Sequence, residues 1–171
     1  MSEIYIDIET TALDADSGII VAIGYAQGDE DPQILILKSY ADERNLISTI
    51  FHVIDRQHLV SYNGDRFDVP FLIARGLKYN LYFPKIKMID LYPWARDHLR
   101  LQSRRFHDIC LFYDIPHEDI SGKEVNELVI RAISGDTAAV TRIINHLTQD
   151  IIALRIFHQK IQPLLIHYPA S

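Results

Sequence analysis

Cysteine is almost absent from this 171-residue chain, where Cys110 stands alone. That excludes an internal disulfide framework and a zinc site built on cysteine. The eight histidines never fall at HxxxH or HExxH spacing, which removes the helical zinc-hydrolase pattern. No apolar run approaches the roughly 20 residues of a membrane span, so no membrane association is expected. The first residues, "MSEIYIDIET", carry two acids and no basic segment, so they do not read as a signal peptide. With the lone thiol, this fits a reducing, cytoplasmic setting. Repeats, low-complexity tracts and linkers are missing too, and a single domain over residues 1–171 is expected. Positive charge is scarce: the net charge is −6, which argues against a non-specific nucleic-acid coat.

What is present is a sizeable apolar fraction, 48%, enough for a real core. The few cations are also unevenly placed. Residues 84–107 hold Lys85, Lys87, Arg96, Arg100, Arg104 and Arg105 against Asp90 and Asp97. Such a basic island in an acidic chain suits phosphate contacts, although an ordinary solvated helix face would look the same.

The periodicity gives an α/β layout. "EIYIDIE" alternates, with Ile4, Ile6 and Ile8 on one face and Tyr5, Asp7 and Glu9 on the other, and reads as a strand. "GIIVAIGYA" and "PQILILK" follow as strands across turns, predicting an antiparallel meander. Residues 42–56 have helical spacing. "HLVSYN" is a short strand ending in an Asn-Gly turn, a helix starts near Phe67, and "KIKMID" is a further strand. Asp90 is placed to cap a helix beginning "LYPWARDHL". Further helices fit 103–113, 122–134 and 136–160. The last carries an apolar stripe of Val140, Ile144, Leu147, Ile151 and Leu154, and Pro163 and Pro169 forbid its continuation. The later strands are expected to join the meander in parallel, with helices on both faces of one mixed sheet.

Three placements of acid stand out. Asp7 and Glu9 project from the same face of an early strand, where two ionised carboxylates repel unless a cation lies between them. Oxygen ligands without clustered cysteine or histidine favour magnesium or manganese over zinc. A merely polar strand face is the alternative. Asp68 sits among Phe67, Val69, Pro70 and Phe71, where an unpartnered carboxylate is expensive to bury; a helix N-terminal acid is the simpler explanation. His146 and Asp150 lie four apart on a helix, about 40° apart around its axis and at the edge of the apolar stripe. A surface His–Asp pair would have the same spacing.

The order of these features resembles the DEDD superfamily of 3′–5′ exonucleases, which have the ribonuclease H-like fold. "YIDIETTALD" is similar to the first motif of that family. "SYNGDRFDVPFL" is similar to the second, closely so to the form in the proofreading domains of family-B DNA polymerases. "HLTQDIIAL" resembles the third, while "IDLYP" and "LQSRRFHDIC" resemble the connecting region. The resemblance spans residues 3–157. It implies that Asp7, Glu9, Asp68 and Asp150 are the metal-binding acids and that nucleotides leave from a 3′ end. One departure is visible. The family orients its attacking water with a tyrosine four residues before the last aspartate or a histidine five before it. Here the residue four before is His146, and Asn145 stands at five.

The resemblance implies two divalent ions, Mg²⁺ or Mn²⁺, about 3.5–4 Å apart. Asp7 would bridge them, with Glu9 and Asp150 on the first and Asp68 on the second. His146 would steer or accept the proton of the attacking water. Thr10 and Leu13 would contact the terminal nucleotide, and Asn63 and Phe67 the strand path. Leu13 and Phe67 suit core packing equally, and Tyr62 and Phe71 read as core. The substrate expected is single-stranded DNA or a DNA 3′ end. RNA with the same chemistry, a weakly catalytic nucleic-acid-binding module and an endonuclease on the same fold are the competing readings. The intact acid quartet and His146 speak against the last two.

Overall fold

The computed structural model describes residues 3–165. Pro169 and the first two residues lie outside the described residues. The chain runs β1 (Glu3–Thr10), β2 (Ile20–Gln27), β3 (Gln33–Ile36), α1 (Glu43–Ile54), β4 (His58–Ser61), α2 (Asp68–Lys78), β5 (Lys87–Asp90), α3 (Leu91–His98), α4 (Phe106–Phe112), α5 (Gly122–Ile133) and α6 (Thr137–Leu165). The five strands form one sheet in the order β3-β2-β1-β4-β5. β1–β2 and β2–β3 pair antiparallel, whereas β1–β4 and β4–β5 pair parallel, so the mixed sheet read from the sequence is what the chain forms.

Both faces of the sheet are covered. Ile4, Ile6 and Ile8 point into one cluster with Ile47, Ile50 and Ile54 of α1 and Leu72 of α2. Tyr5 and Val60 point into a second, with Leu91 and Trp94 of α3, Ile109 of α4 and Leu154 and Phe157 of α6. The alternation along β1 is thus shared between two cores. Each fully buried Ile or Leu contributes roughly 1.5–3 kcal/mol.

Two features of the sheet prepare the site. β4 pairs with β1 only from Glu3 to Tyr5, leaving the edge of β1 beyond it open. Opposite Asp7 on β2 stands Gly24, where a Cβ would lie 3.1 Å from Ile151 and 3.2 Å from Leu147. The missing side chain lets α6 settle onto the sheet beside Asp7. The β1–β2 register also shifts between Glu9 and Thr10, a bulge that re-aims the chain where β1 ends.

Two expectations for α6 need correction. The helix continues to Leu165 with Pro163 inside it rather than stopping at 160. Pro163 removes the hydrogen bond to the carbonyl of Gln159, and buried Ile161 keeps this part of the helix docked. The buried stripe runs through Ala139, Ile143, Leu147, Ile151 and Leu154, while Ile144 is 38% exposed and Val140 only half-buried. Over several turns a 3.6-residue repeat drifts off any fixed spacing, and Ile143 rather than Ile144 ends up facing the sheet.

Candidate active site

The acids converge where β1, α2 and α6 meet. Asp7 and Glu9 project from β1 toward α6. Asp68 is the first residue of α2 and buried, and its Oδ1 accepts a hydrogen bond of 3.2 Å from the backbone N–H of Ile8. That amide is available because β4 no longer pairs there. The turn before it is built for this approach. Asn63 adopts φ 67°, a left-handed conformation that asparagine tolerates, and a Cβ on Gly64 would fall 2.0 Å from Ser61 Oγ. Asp90 ties the same turn to the next helix. It accepts from Asn63 N at 2.7 Å, from Asp65 N at 3.1 Å and, as the cap of α3, from Tyr92 N at 2.9 Å. The single charge in an apolar frame is therefore aimed at β1 from a stiff helix start.

From α6, His146 and Asp150 reach the same place. His146 Nε2 lies 3.0 Å from Glu9 Oε1 and 3.3 Å from Asp150 Oδ2. Both residues are buried, not paired on the surface. Asn145 is exposed, so the residue four before Asp150 is the one that enters the site. His146 Nδ1 has no hydrogen-bond partner among the described residues, and the ring is oriented from its Nε2 side.

Like charges at close range leave their mark. Burial, and then the charges of Asp68, Asp150 and Glu9, push the Asp7 carboxyl well above its usual range. Burial likewise raises Asp68 to about 7; hydrogen bonds from backbone amides oppose the rise, and the charges of Asp90 and Glu9 add to it. At His146 burial favours the neutral ring, but the contact with Glu9 and the charge of Asp150 more than offset it and raise the imidazole above its ordinary value. Carboxylates held together at such cost fit a divalent cation. Ligand atoms of Glu9, His146 and Asp150 lie within 4.8 Å of one another, close enough to share one ion.

A cavity of about 230 Å³ opens onto these groups, lined in part by Asp7, His146, Asp150, Tyr62, Phe106 and His117. Beside it runs a groove of about 680 Å³ lined by Asn63, Arg66, Arg104, Arg105 and the rings of Tyr62, Tyr92 and Phe106. Among the described residues no acid lines this groove, although the chain as a whole is acidic. Of the basic island, it is thus the α3–α4 connector that reaches the site, joined by Arg66.

The remaining expected contacts divide. Leu13 is 83% exposed, which excludes core packing for it. It shares a small depression with Phe67, which also packs against the first core cluster. The Thr10 hydroxyl donates to Ala12 O at 2.7 Å and shapes the loop after β1. Phe71 is buried as expected. Tyr62 packs against the second cluster but also lines both cavity and groove, and its hydroxyl donates to Arg104 O at 2.5 Å. Within the family-like "LQSRRFHDIC" nothing singles out His107, and His117, Asp119 and Ile120 come from a connector with no periodicity.

A mixed five-stranded sheet with acids from its central strand facing a helical aspartate defines a ribonuclease H-like protein. The chain belongs to the RNase_H superfamily, whose family model matches residues 4–162. It is 30% identical over 166 residues to an uncharacterized protein of Methanocaldococcus jannaschii, covering 88% of this chain and 90% of that one. It is also 30% identical over 118 residues to a DNA polymerase of the same organism, covering 52% of this chain and 7% of the polymerase. Among solved structures, the family-B DNA polymerase of Pyrobaculum calidifontis superposes with a TM-score of 0.82 at 17% identity, covering 97% of this chain and 25% of that chain. Escherichia coli Exonuclease I in complex with a dT13 oligonucleotide superposes with a TM-score of 0.68 at 12% identity, covering 98% and 43%. The chain thus spans a quarter of the polymerase and less than half of the exonuclease. The likeness to family-B polymerases read from the motifs recurs in the fold, and the sequence match is to a DNA polymerase.

Proposed function

We propose that this protein is a metal-dependent 3′–5′ exonuclease that releases nucleoside monophosphates from single-stranded DNA or DNA 3′ ends. The observation that carries this reading is that ligand atoms of Glu9, His146 and Asp150 lie within 4.8 Å of one another beside a cavity that Asp7 also lines, with the charge of Asp68 acting on Asp7. Asp7, Glu9 and Asp150 would hold one divalent ion, and Asp7 with Asp68 a second. When bound, Mg²⁺ or Mn²⁺ would acidify a water and offset charge on the leaving oxygen.

The chain's own residues account for the rest. His146 Nε2, on the cavity wall between Glu9 and Asp150, would take or steer the proton of the attacking water. The groove of Arg66, Arg104 and Arg105 would neutralise phosphates of the incoming strand, and Tyr62, Tyr92 and Phe106 offer faces for base stacking that tolerate any sequence. Exposed Leu13, with Phe67 and Thr10, would meet the terminal nucleotide. The oligonucleotide bound to the structurally similar Exonuclease I supports a single-stranded substrate.

The test uses DNA and RNA oligomers labelled at the 5′ end, with Mn²⁺, Mg²⁺ or chelator. A metal-dependent ladder shrinking from the 3′ end is expected, faster on DNA. Internal cuts would replace exonuclease with endonuclease, a faster RNA ladder would change the substrate, and tight binding without cleavage would leave a binding module.

A further inference from the structure

A second imidazole reaches the acid cluster from the connector between α4 and α5. The side chain of His117 is 7% exposed, and its Nε2 stands 2.8 Å from Asp150 Oδ1. His146 Nε2 lies near the other oxygen, Oδ2, at 3.3 Å. Asp150 therefore has an imidazole nitrogen against each oxygen, one from its own helix and one from a distant segment of chain, and the approach of His117 is a close charge contact rather than an aligned hydrogen bond.

His117 is itself held in place. Its Nδ1 lies 3.1 Å from His107 Nδ1 on α4. Its ring meets the Phe106 ring edge-on, with centroids 5.2 Å apart and planes at 80°. The connector is pinned on both sides: buried Ile115 and Ile120 flank it, and Glu118 accepts two hydrogen bonds from Arg142 of α6, at 2.6 and 2.5 Å. These anchors would hold the segment without an imidazole at 117. The side chain instead turns into the cavity that holds Asp150.

We propose that His117, backed by His107, is a positioning residue for Asp150. By standing 2.8 Å from Oδ1 it limits rotation of the carboxylate and leaves Oδ2 toward Glu9 and His146, where a divalent ion would bind. A carboxylate rotates readily about its last bond, and groups that orient metal ligands commonly affect metal affinity as strongly as ligands do. The inference rests on the cation site of the proposed function and adds what sets the geometry of its last acid.

Mn²⁺ binding to the intact chain without substrate, followed by the electron paramagnetic resonance of the free ion, decides it. His117→Ala is expected to raise the half-saturating Mn²⁺ concentration about tenfold or more. His117→Asn keeps a donor near Oδ1 and should recover part of the loss, and it replaces the alanine variant if that one fails to fold. His107→Ala should produce a smaller rise. On a labelled oligomer, His117→Ala should lower kcat and leave KM unchanged. A purely structural role would lower the melting temperature without moving Mn²⁺ affinity or kcat, and that result overturns the proposal. A parent chain that binds Mn²⁺ but digests nothing removes the proposed activity, while the variants' Mn²⁺ affinities still decide the role of His117. A parent that binds no Mn²⁺ ends both.

Discussion

Glu43 and Asp68 occupy equivalent places, each the first residue of a helix, each buried, each accepting a hydrogen bond from a strand amide: Ile20 N at 2.9 Å for Glu43 and Ile8 N at 3.2 Å for Asp68. Their surroundings differ in sign. Glu43, 0% exposed, receives Arg75 Nε at 2.8 Å, a second hydrogen bond from the Arg75 guanidinium and the Tyr79 hydroxyl at 2.6 Å. Burial alone would raise its pKa, but Arg75, Tyr79 and Ile20 more than offset that and hold it below the usual range. Asp68 is raised to about 7 by burial first, against opposing backbone hydrogen bonds, and its charged neighbours Asp90 and Glu9 add to the rise. The same helix-start device thus serves two ends. Where a cation is built in, the acid closes a structural joint that also binds Ala15 O through Arg75 at 3.0 Å. Where none is built in, the unbalanced charge fits the divalent ion of the proposed function.

Substitutions at the two extremes separate these roles most clearly. Asp7→Asn should lower exonuclease activity by about 10³-fold or more, since it removes the central acid while keeping the shape. The metal-free melting temperature should not fall, because Asp7 is the carboxyl most crowded by like charge. A variant that still digests a labelled oligomer at parental rate would remove Asp7 from the site. Glu43→Ala should do the reverse. Leaving Arg75 buried without its partner should cost about 3–5 kcal/mol of stability in denaturant unfolding. Loss of less than about 1 kcal/mol would show that the Glu43–Arg75–Tyr79 joint is not structural.

Asp68→Asn tests the sign of a smaller effect. The folded chain keeps a proton on Asp68 up to about pH 7, whereas the unfolded chain releases it near the ordinary 3.8. A raised carboxyl favours the folded state at low pH, and that contribution is lost as pH rises through its folded pKa. Without metal, Asp68→Asn should therefore be more stable than the parent at pH 8, by on the order of 2–3 kcal/mol, with the gap closing toward pH 4. Mn²⁺ should stabilise the parent at pH 8 and the variant far less. Cation binding requires the ionised acids, so activity of the parent at limiting Mn²⁺ should climb from pH 6 through mildly alkaline pH. A flat activity profile, or a gap of the opposite sign, would contradict the raised pKa.

Much of this contrast was legible in the sequence, and the illegible part has a physical reason. Alternation in β1 and the Asn-Gly turn before Asp68 are local signals, and both elements stand where they were read. Asp90 caps α3 as its position suggests, yet its bonds to Asn63 and Asp65 are long-range and leave no periodic trace. The spacing to Asp150 marks His146, and only the helix phase shows that Asn145 turns outward. Tyr62 looked like core because an aromatic ring in a strand is usually packed; it also lines a groove because β4 ends one residue earlier, at Ser61. His117 carries no sequence signal because a connector residue gains meaning only through what the fold brings beside it.

The smallest expected effect concerns the groove. Arg66 and Arg104 come from separate connectors and meet on an acid-free wall beside the cavity. If phosphates lie there, the double change of Arg66→Gln and Arg104→Gln should weaken binding of a single-stranded oligomer about tenfold at 0.1 M salt. The measurement belongs in the Asp7→Asn background, so that no substrate is consumed. The salt dependence should also flatten, by roughly 0.7 in the log–log slope for each phosphate no longer neutralised. This separates a path for the strand from a merely sticky surface, because a non-specific loss of charge would weaken binding of every substrate equally. Loss of the groove should instead spare a dinucleotide, too short to reach it, and penalise long strands. Equal effects on both lengths would place the strand along the Leu13–Phe67 depression alone.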